Sequence, residues 1–137
     1  AGLAAVRPGA KAHDIDQAVR RVFEKHGCVD KFLHGTGHGI GLAVHEAPRI
    51  KSGFDTIIEP GMIFSIEPGL YYSGWGGVRI EDLVVVTKTG YENITRTPKK
   101  QLVEIGVPAR AASRPAAKKK AAAKKKSPVK KVAARKR

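Results

Sequence analysis

Three features place the first 105 residues in a mixed α/β class of the α+β kind. They are an amphipathic helix, a glycine- and histidine-rich stretch after it, and two β-branched strands joined by a glycine-rich hairpin. From residue 106 the composition changes so sharply that a separate tail is expected. This divides the chain into residues 1–105 and 106–137.

The helix is predicted over 14–26. Ile15, Ala18, Val19, Val22 and Phe23 follow the i, i+3, i+4, i+7, i+8 stripe of a core-facing helix, and Arg20, Arg21, Glu24 and Lys25 lie mostly off it. Asp14 is expected to cap its start, with Gln17 completing a capping box, and Gly27 stands where a C-terminal cap is needed. Ahead of it, Ala1 to Val6 reads as the last turns of a helix stopped by Arg7-Pro8-Gly9. A helix entered midway, in a chain whose one methionine is Met62, leads to the expectation that the sequence is a piece of a longer protein.

Residues 32–48 hold four glycines between 35 and 41, together with His34, His38 and His45. So many glycines make a poor helix or interior strand, and suit a backbone passing close to an ion or substrate. Pro60-Gly61 marks a turn. Met62–Leu70 then alternates Met62, Phe64 and Ile66 against Ile63, Ser65 and Glu67, and Val78–Thr87 forms a second strand. Tyr91–Thr95 returns as a short strand after the turn at 88–90. If the two long strands pair through the 72–77 connection, Glu67 and Glu81 approach each other across the ladder.

Charge is divided unevenly. Residues 1–105 carry 13 Lys and Arg against 12 Asp and Glu, whereas 106–137 carry the other 13 basic residues and no acid. The globular part is therefore near neutral, and the basic character belongs to a Lys/Ala/Pro tail with too little apolar surface to offset its ordering entropy. That tail is expected to be disordered. One cysteine, Cys28, excludes an internal disulfide, and no apolar run suits a membrane span. A cytoplasmic setting follows, and a homodimer is compatible with it.

His38, Glu67 and Glu81 come from three separate elements. One imidazole with carboxylates suits a borderline or hard divalent ion, and carboxylates can bridge two such ions for hydrolysis. An isolated histidine is more often an ordinary surface or core residue. A glutamate inside an apolar strand is harder to explain without a partner, and two of them beside a Gly/His-rich loop favour a metal site.

The motifs His34-Gly35-Thr36-Gly37-His38-Gly39-Ile40-Gly41, Val44-His45-Glu46, Pro60-Gly61-Met62, Ile66-Glu67-Pro68-Gly69 and Val78-Arg79-Ile80-Glu81-Asp82 occur in this order. They resemble the Xaa-Pro peptidases of the pita-bread metallopeptidase family over nearly all of residues 1–98. The resemblance implies the C-terminal half of that fold, a curved and mostly antiparallel sheet backed by helices, with residues 1–105 as the C-terminal part of the catalytic domain. It implies two divalent metal ions, manganese or cobalt ahead of zinc or iron, with His38 and Glu67 as terminal ligands and Glu81 as a bridging one. Glu67 would also move protons to and from the attacking water, a hydroxide held between the ions. His45 would position substrate and stabilise charge on the scissile carbonyl; His34 and Arg79 would line the substrate pocket, or alternatively either would brace the metal-binding carboxylates. The implied substrate is a dipeptide or peptide with proline second.

In the family, two aspartates from an upstream strand pair complete the site. Here Asp14 and Asp16 stand at a helix start, where capping and the helix dipole account for them, and Asp30 lies in a loop. The chain alone is therefore expected to be inactive. The tail, ending in Ser127-Pro128-Val129-Lys130-Lys131, is similar to linker-histone tails, which implies sequence-independent binding to nucleic acid or other polyanions. The alternative function is thus a nucleic-acid-binding protein built on a degenerate peptidase scaffold.

Overall fold

Helix α2 spans Ala12–Lys25 and starts two residues before its expected cap. The N–H groups of Ala12 and His13 donate to the carbonyls of Thr56 and Phe54, so the first turn is satisfied by neighbouring backbone. Asp14 makes no capping bond, and Gln17 instead donates to Ser52 Oγ at 2.8 Å. The capping box is thus corrected. Gly27, at φ +65°, does end the helix as expected. A short helix α1, Gly2–Ala5, precedes it. The computed structural model describes residues 1–99, 101 and 102; the 105/106 boundary and the tail lie outside the described residues.

Among the described residues seven strands follow: β1 (Gly37–Gly39), β2 (Glu46–Ile50), β3 (Ile63–Ile66), β4 (Gly69–Tyr72), β5 (Gly76–Arg79), β6 (Asp82–Val86) and β7 (Tyr91–Asn93). Five form an antiparallel sheet in the order β2-β1-β3-β6-β7, and β4 and β5 form a hairpin of their own. The two long strands expected over 62–70 and 78–87 are each broken. Pro68 has no N–H to donate, and the ladder lapses there before resuming in the hairpin. Register is nevertheless continuous across the gap, with Ile66 opposite Asp82 on one side and Gly69 opposite Arg79 on the other.

One face of the sheet packs against the helices. Ile15 of α2, Ile50, Ile58, Phe64, Ile66, Val84 and Val86 form the buried core together with Val6, Ala10 and Ala12. Burying each of the larger side chains contributes about 1.5–3 kcal/mol before entropy is counted. Alternation along β3 turns Ser65 to the opposite face, where it is also fully buried.

The glycine-rich stretch supplies an interior strand, contrary to its propensity. A Cβ on Gly37 would collide with the carbonyl of Ser65, and one on Gly39 with the carbonyl of Ala47. What passes close to this backbone at Gly37 and Gly39 is the neighbouring strand on either side of β1.

Candidate metal centre

His38 sits at the middle of β1, between Gly37, which lets the strand lie tight against β3, and Gly39, which lets it lie tight against β2. Its Nδ1 bonds to Gly39 O at 3.0 Å, which makes Nδ1 the donor and turns the Nε2 lone pair outward. Nε2 stands 3.1 Å from Glu67 Oε1. Two lone pairs at that distance require a proton or a cation between them, which is the condition a metal ligand pair meets. Ser65 ties the pair together: its Oγ accepts from His38 N at 3.0 Å and donates to Glu67 Oε1 at 3.0 Å.

Glu67 and Glu81 occupy the opposed positions left by the break in the β-ribbon, as the continuous register requires. Arg79 lies between the carboxylates, with Nε 3.6 Å from Glu67 Oε2 and Nη2 3.6 Å from Glu81 Oε2. A positive group thus sits where the two acids converge. At these distances, on a half-exposed side chain, the ion pairs are worth roughly 0–1 kcal/mol each. A divalent ion bound by the same oxygens would outcompete them. The donor set, one imidazole nitrogen and two carboxylates around a cation position, fits a hard or borderline divalent metal. Among the described residues, no group of three or more His, Cys, Asp or Glu is gathered closely enough to hold an ion as it stands. Glu81 remains exposed at the edge.

His45 is exposed on the loop before β2, and its ring lies edge-on to His38 with centroids 4.3 Å apart. His34 is held more firmly. Its Nδ1 bonds Gly35 O at 2.7 Å and its Nε2 bonds the Tyr71 hydroxyl at 2.8 Å. A cavity of about 360 Å³ brings together His34, His38, His45, Glu67 and Arg79. Arg49 and Lys51 line it as well, so its wall carries more positive charge than the motifs alone disclose.

Sequence reasoning also passed over Asp16, which it assigned to the helix start. The structure buries it completely. Its carboxylate accepts from Thr36 N and Oγ1 at 3.0 and 2.8 Å, from Arg20 Nε at 2.7 Å, and from Ser52 N at 2.9 Å as well as Ser52 Oγ. Burial pushes the carboxyl up, but hydrogen bonds from Ser52, Arg20 and Thr36 and the Arg20 charge outweigh it and hold the group below the usual carboxylate range. Ser65 and Tyr71 were likewise missed as supports. The alternation that puts Ser65 on the Glu67 side was the only signal available for either.

The antiparallel sheet backed by helices is the fold of solved dipeptidase and prolidase structures of the pita-bread kind. The chain belongs to metallopeptidase family M24, which it matches over residues 1–88. It is 48% identical over 103 residues to a probable dipeptidase, PepE, of Mycobacterium tuberculosis, covering 75% of this chain and 28% of that protein. It is 48% identical over 99 residues to a Xaa-Pro dipeptidase of Lactobacillus helveticus, covering 72% and 27% respectively. The prolidase structure from Pyrococcus furiosus superposes with a TM-score of 0.70 at 41% identity, over 72% of this chain and 29% of that one. The chain therefore spans under a third of the length of the relatives it matches.

Proposed function

We propose that this chain carries part of the active site of a metal-dependent peptidase that cleaves the bond between an N-terminal residue and a following proline. The observation that carries the reading is the placement of Glu67 opposite Glu81 at the ribbon break, with His38 Nε2 3.1 Å from Glu67 Oε1. The Xaa-Pro dipeptidase relatives support the substrate class.

His38, Glu67 and Glu81 would hold two divalent ions, manganese or cobalt ahead of zinc or iron. When bound, these ions supply Lewis-acid activation of water and of the scissile carbonyl. Glu67, whose Oε1 is already fixed by Ser65, would take a proton from the attacking water and pass it to the departing proline nitrogen. His45, free at the cavity mouth beside His38, would donate to the carbonyl oxygen as charge develops there. Arg79, moved off the two carboxylates, and His34, braced by Tyr71, would line the peptide pocket. Three protein ligands are too few to enclose two ions. Catalysis thus needs donors beyond these three, and the chain alone would be inactive even with metal added.

The test is a chimera. Residues 1–98 replace the matching segment of the Pyrococcus furiosus Xaa-Pro dipeptidase, which is 42% identical to this chain over 98 residues. With manganese or cobalt, cleavage of Xaa-Pro dipeptides is expected, and His38→Ala, Glu67→Gln and Glu81→Gln each lower it by about 100-fold or more. A folded, metal-loaded chimera that cleaves nothing overturns the reading.

A further inference from the structure

Asp16 is a fully buried carboxylate, hydrogen-bonded to none of the candidate ligands, that the chemistry above does not use. Its partners are nonetheless the groups that lead into the site. Thr36, held at both N–H and hydroxyl by Asp16 Oδ1, offers its own carbonyl to the N–H of Glu67 at 2.7 Å. Arg20, held by Asp16 Oδ2, donates Nη2 to the carbonyl of His34 at 2.8 Å. The same guanidinium lies 4.7 Å over the ring of Phe32, which in turn packs edge-on against His34. Ser52, just past the end of β2, completes the set.

We infer that Asp16 is a positioning residue. Through Thr36 it fixes the main chain of Glu67, and through Arg20 it fixes the segment carrying His34 and leading to His38. One carboxylate on α2 thereby sets the spacing between the strand holding the histidine and the segment after β3 that holds the first glutamate. Five donors converge on it, and none comes from a residue proposed to bind metal or substrate. A carboxylate needed only to satisfy the helix start would remain exposed and bond within its own first turn. Asp16 bonds instead to residues 20 and 36 positions away.

The inference relies on the reading of His38 and Glu67 as ligands only in calling the effect positioning for a site. Its test uses the metal-free 137-residue chain, so it succeeds or fails independently of the chimera. Amide hydrogen exchange and histidine ring resonances are followed by nuclear magnetic resonance in wild type, Asp16→Asn and Thr36→Val. In Asp16→Asn the Glu67 amide should exchange about tenfold faster relative to the amides of Phe64 and Val84, a factor of the order of one net hydrogen bond. The ring signals of His34 and His38 should shift with it. Thr36→Val, which removes one of the two Thr36 anchors without changing side-chain shape, should move the same signals in the same direction, and it carries the test alone if Asp16→Asn does not fold. Uniform acceleration of all core amides would show a merely structural role and overturn the inference. Unchanged exchange at Glu67 in a folded variant would overturn it equally.

Discussion

Replacing Gly37 by alanine adds a single methyl group at the point where β1 lies tightest against its neighbour. The new Cβ falls on the Ser65 carbonyl, with Ser65 C at 2.6 Å and Oγ at 3.0 Å. Two of these three atoms are backbone, so rotating a side chain cannot relieve the clash; β1 or β3 must move. Displacement of β3 drags Phe64 and Ile66, both in the core, and Ser65, which links His38 to Glu67. Overpacking of this kind costs about 1–3 kcal/mol, and the rigid obstacle puts Gly37→Ala near the upper end. For a domain of this size that lowers Tm by roughly 10–20 °C. Gly90→Ala is the control, since nothing lies within 4 Å of a Cβ there and its φ is not positive. Thermal unfolding followed by circular dichroism measures both. A Gly37→Ala protein melting within about 3 °C of wild type, or together with Gly90→Ala, would refute the claim that strand proximity dictates this glycine.

Phe64→Ala, which empties a fully buried site facing Val84, should destabilise by about 3–5 kcal/mol in urea unfolding, whereas Ile63→Ala, one residue earlier and exposed, should cost far less. The depressed pKa of Asp16 makes a second prediction. Because its folded value lies below the ordinary 3.8, the stability it contributes is complete above that value and is lost as pH falls through the lower folded value. The stability gap between wild type and Asp16→Asn should therefore stay constant from neutral pH to about pH 5 and narrow only below the ordinary value, in denaturant titrations at a series of pH values. The 13 basic residues beyond position 105 should bind duplex DNA of any sequence, weakening steeply as salt rises and vanishing on truncation at residue 106. Binding in gel-shift titrations that ignores salt would contradict that assignment.

Much of the fold was legible because it follows from local pattern. Ile15 and Val19 of the helical stripe and the alternating Phe64 and Ile66 are buried as expected, whereas Val22 on the same stripe is exposed. The opposition of Glu67 and Glu81 was legible too, since a hairpin fixes register by counting outward from its turn. What could not be read depended on distant partners. The start of α2 is set by the carbonyls of Phe54 and Thr56, some forty residues away, and so no inspection of Asp14 could locate it. Asp16 looked like a helix-dipole residue because its identity suits that role; only the arrival of Thr36 and Ser52 makes it a buried hub. The glycines were rightly taken as signs of close approach; at Gly37 and Gly39 the approaching groups are carbonyls of adjoining strands, and at Gly41 the carboxylate of Glu46. Arg79 was expected to line the pocket or to brace the carboxylates, and it does both, lining the cavity and reaching Glu67 and Glu81.

The central claim, that His38, Glu67 and Glu81 form one metal-binding set, is tested most directly by a crystal structure of the chimera soaked in manganese and measured for anomalous scattering. The account predicts anomalous peaks bonded to His38 Nε2 and to carboxylate oxygens of Glu67 and Glu81, with Arg79 displaced from between the acids. Manganese bound elsewhere, or a fully soaked crystal in which Arg79 still spans Glu67 and Glu81, would contradict it.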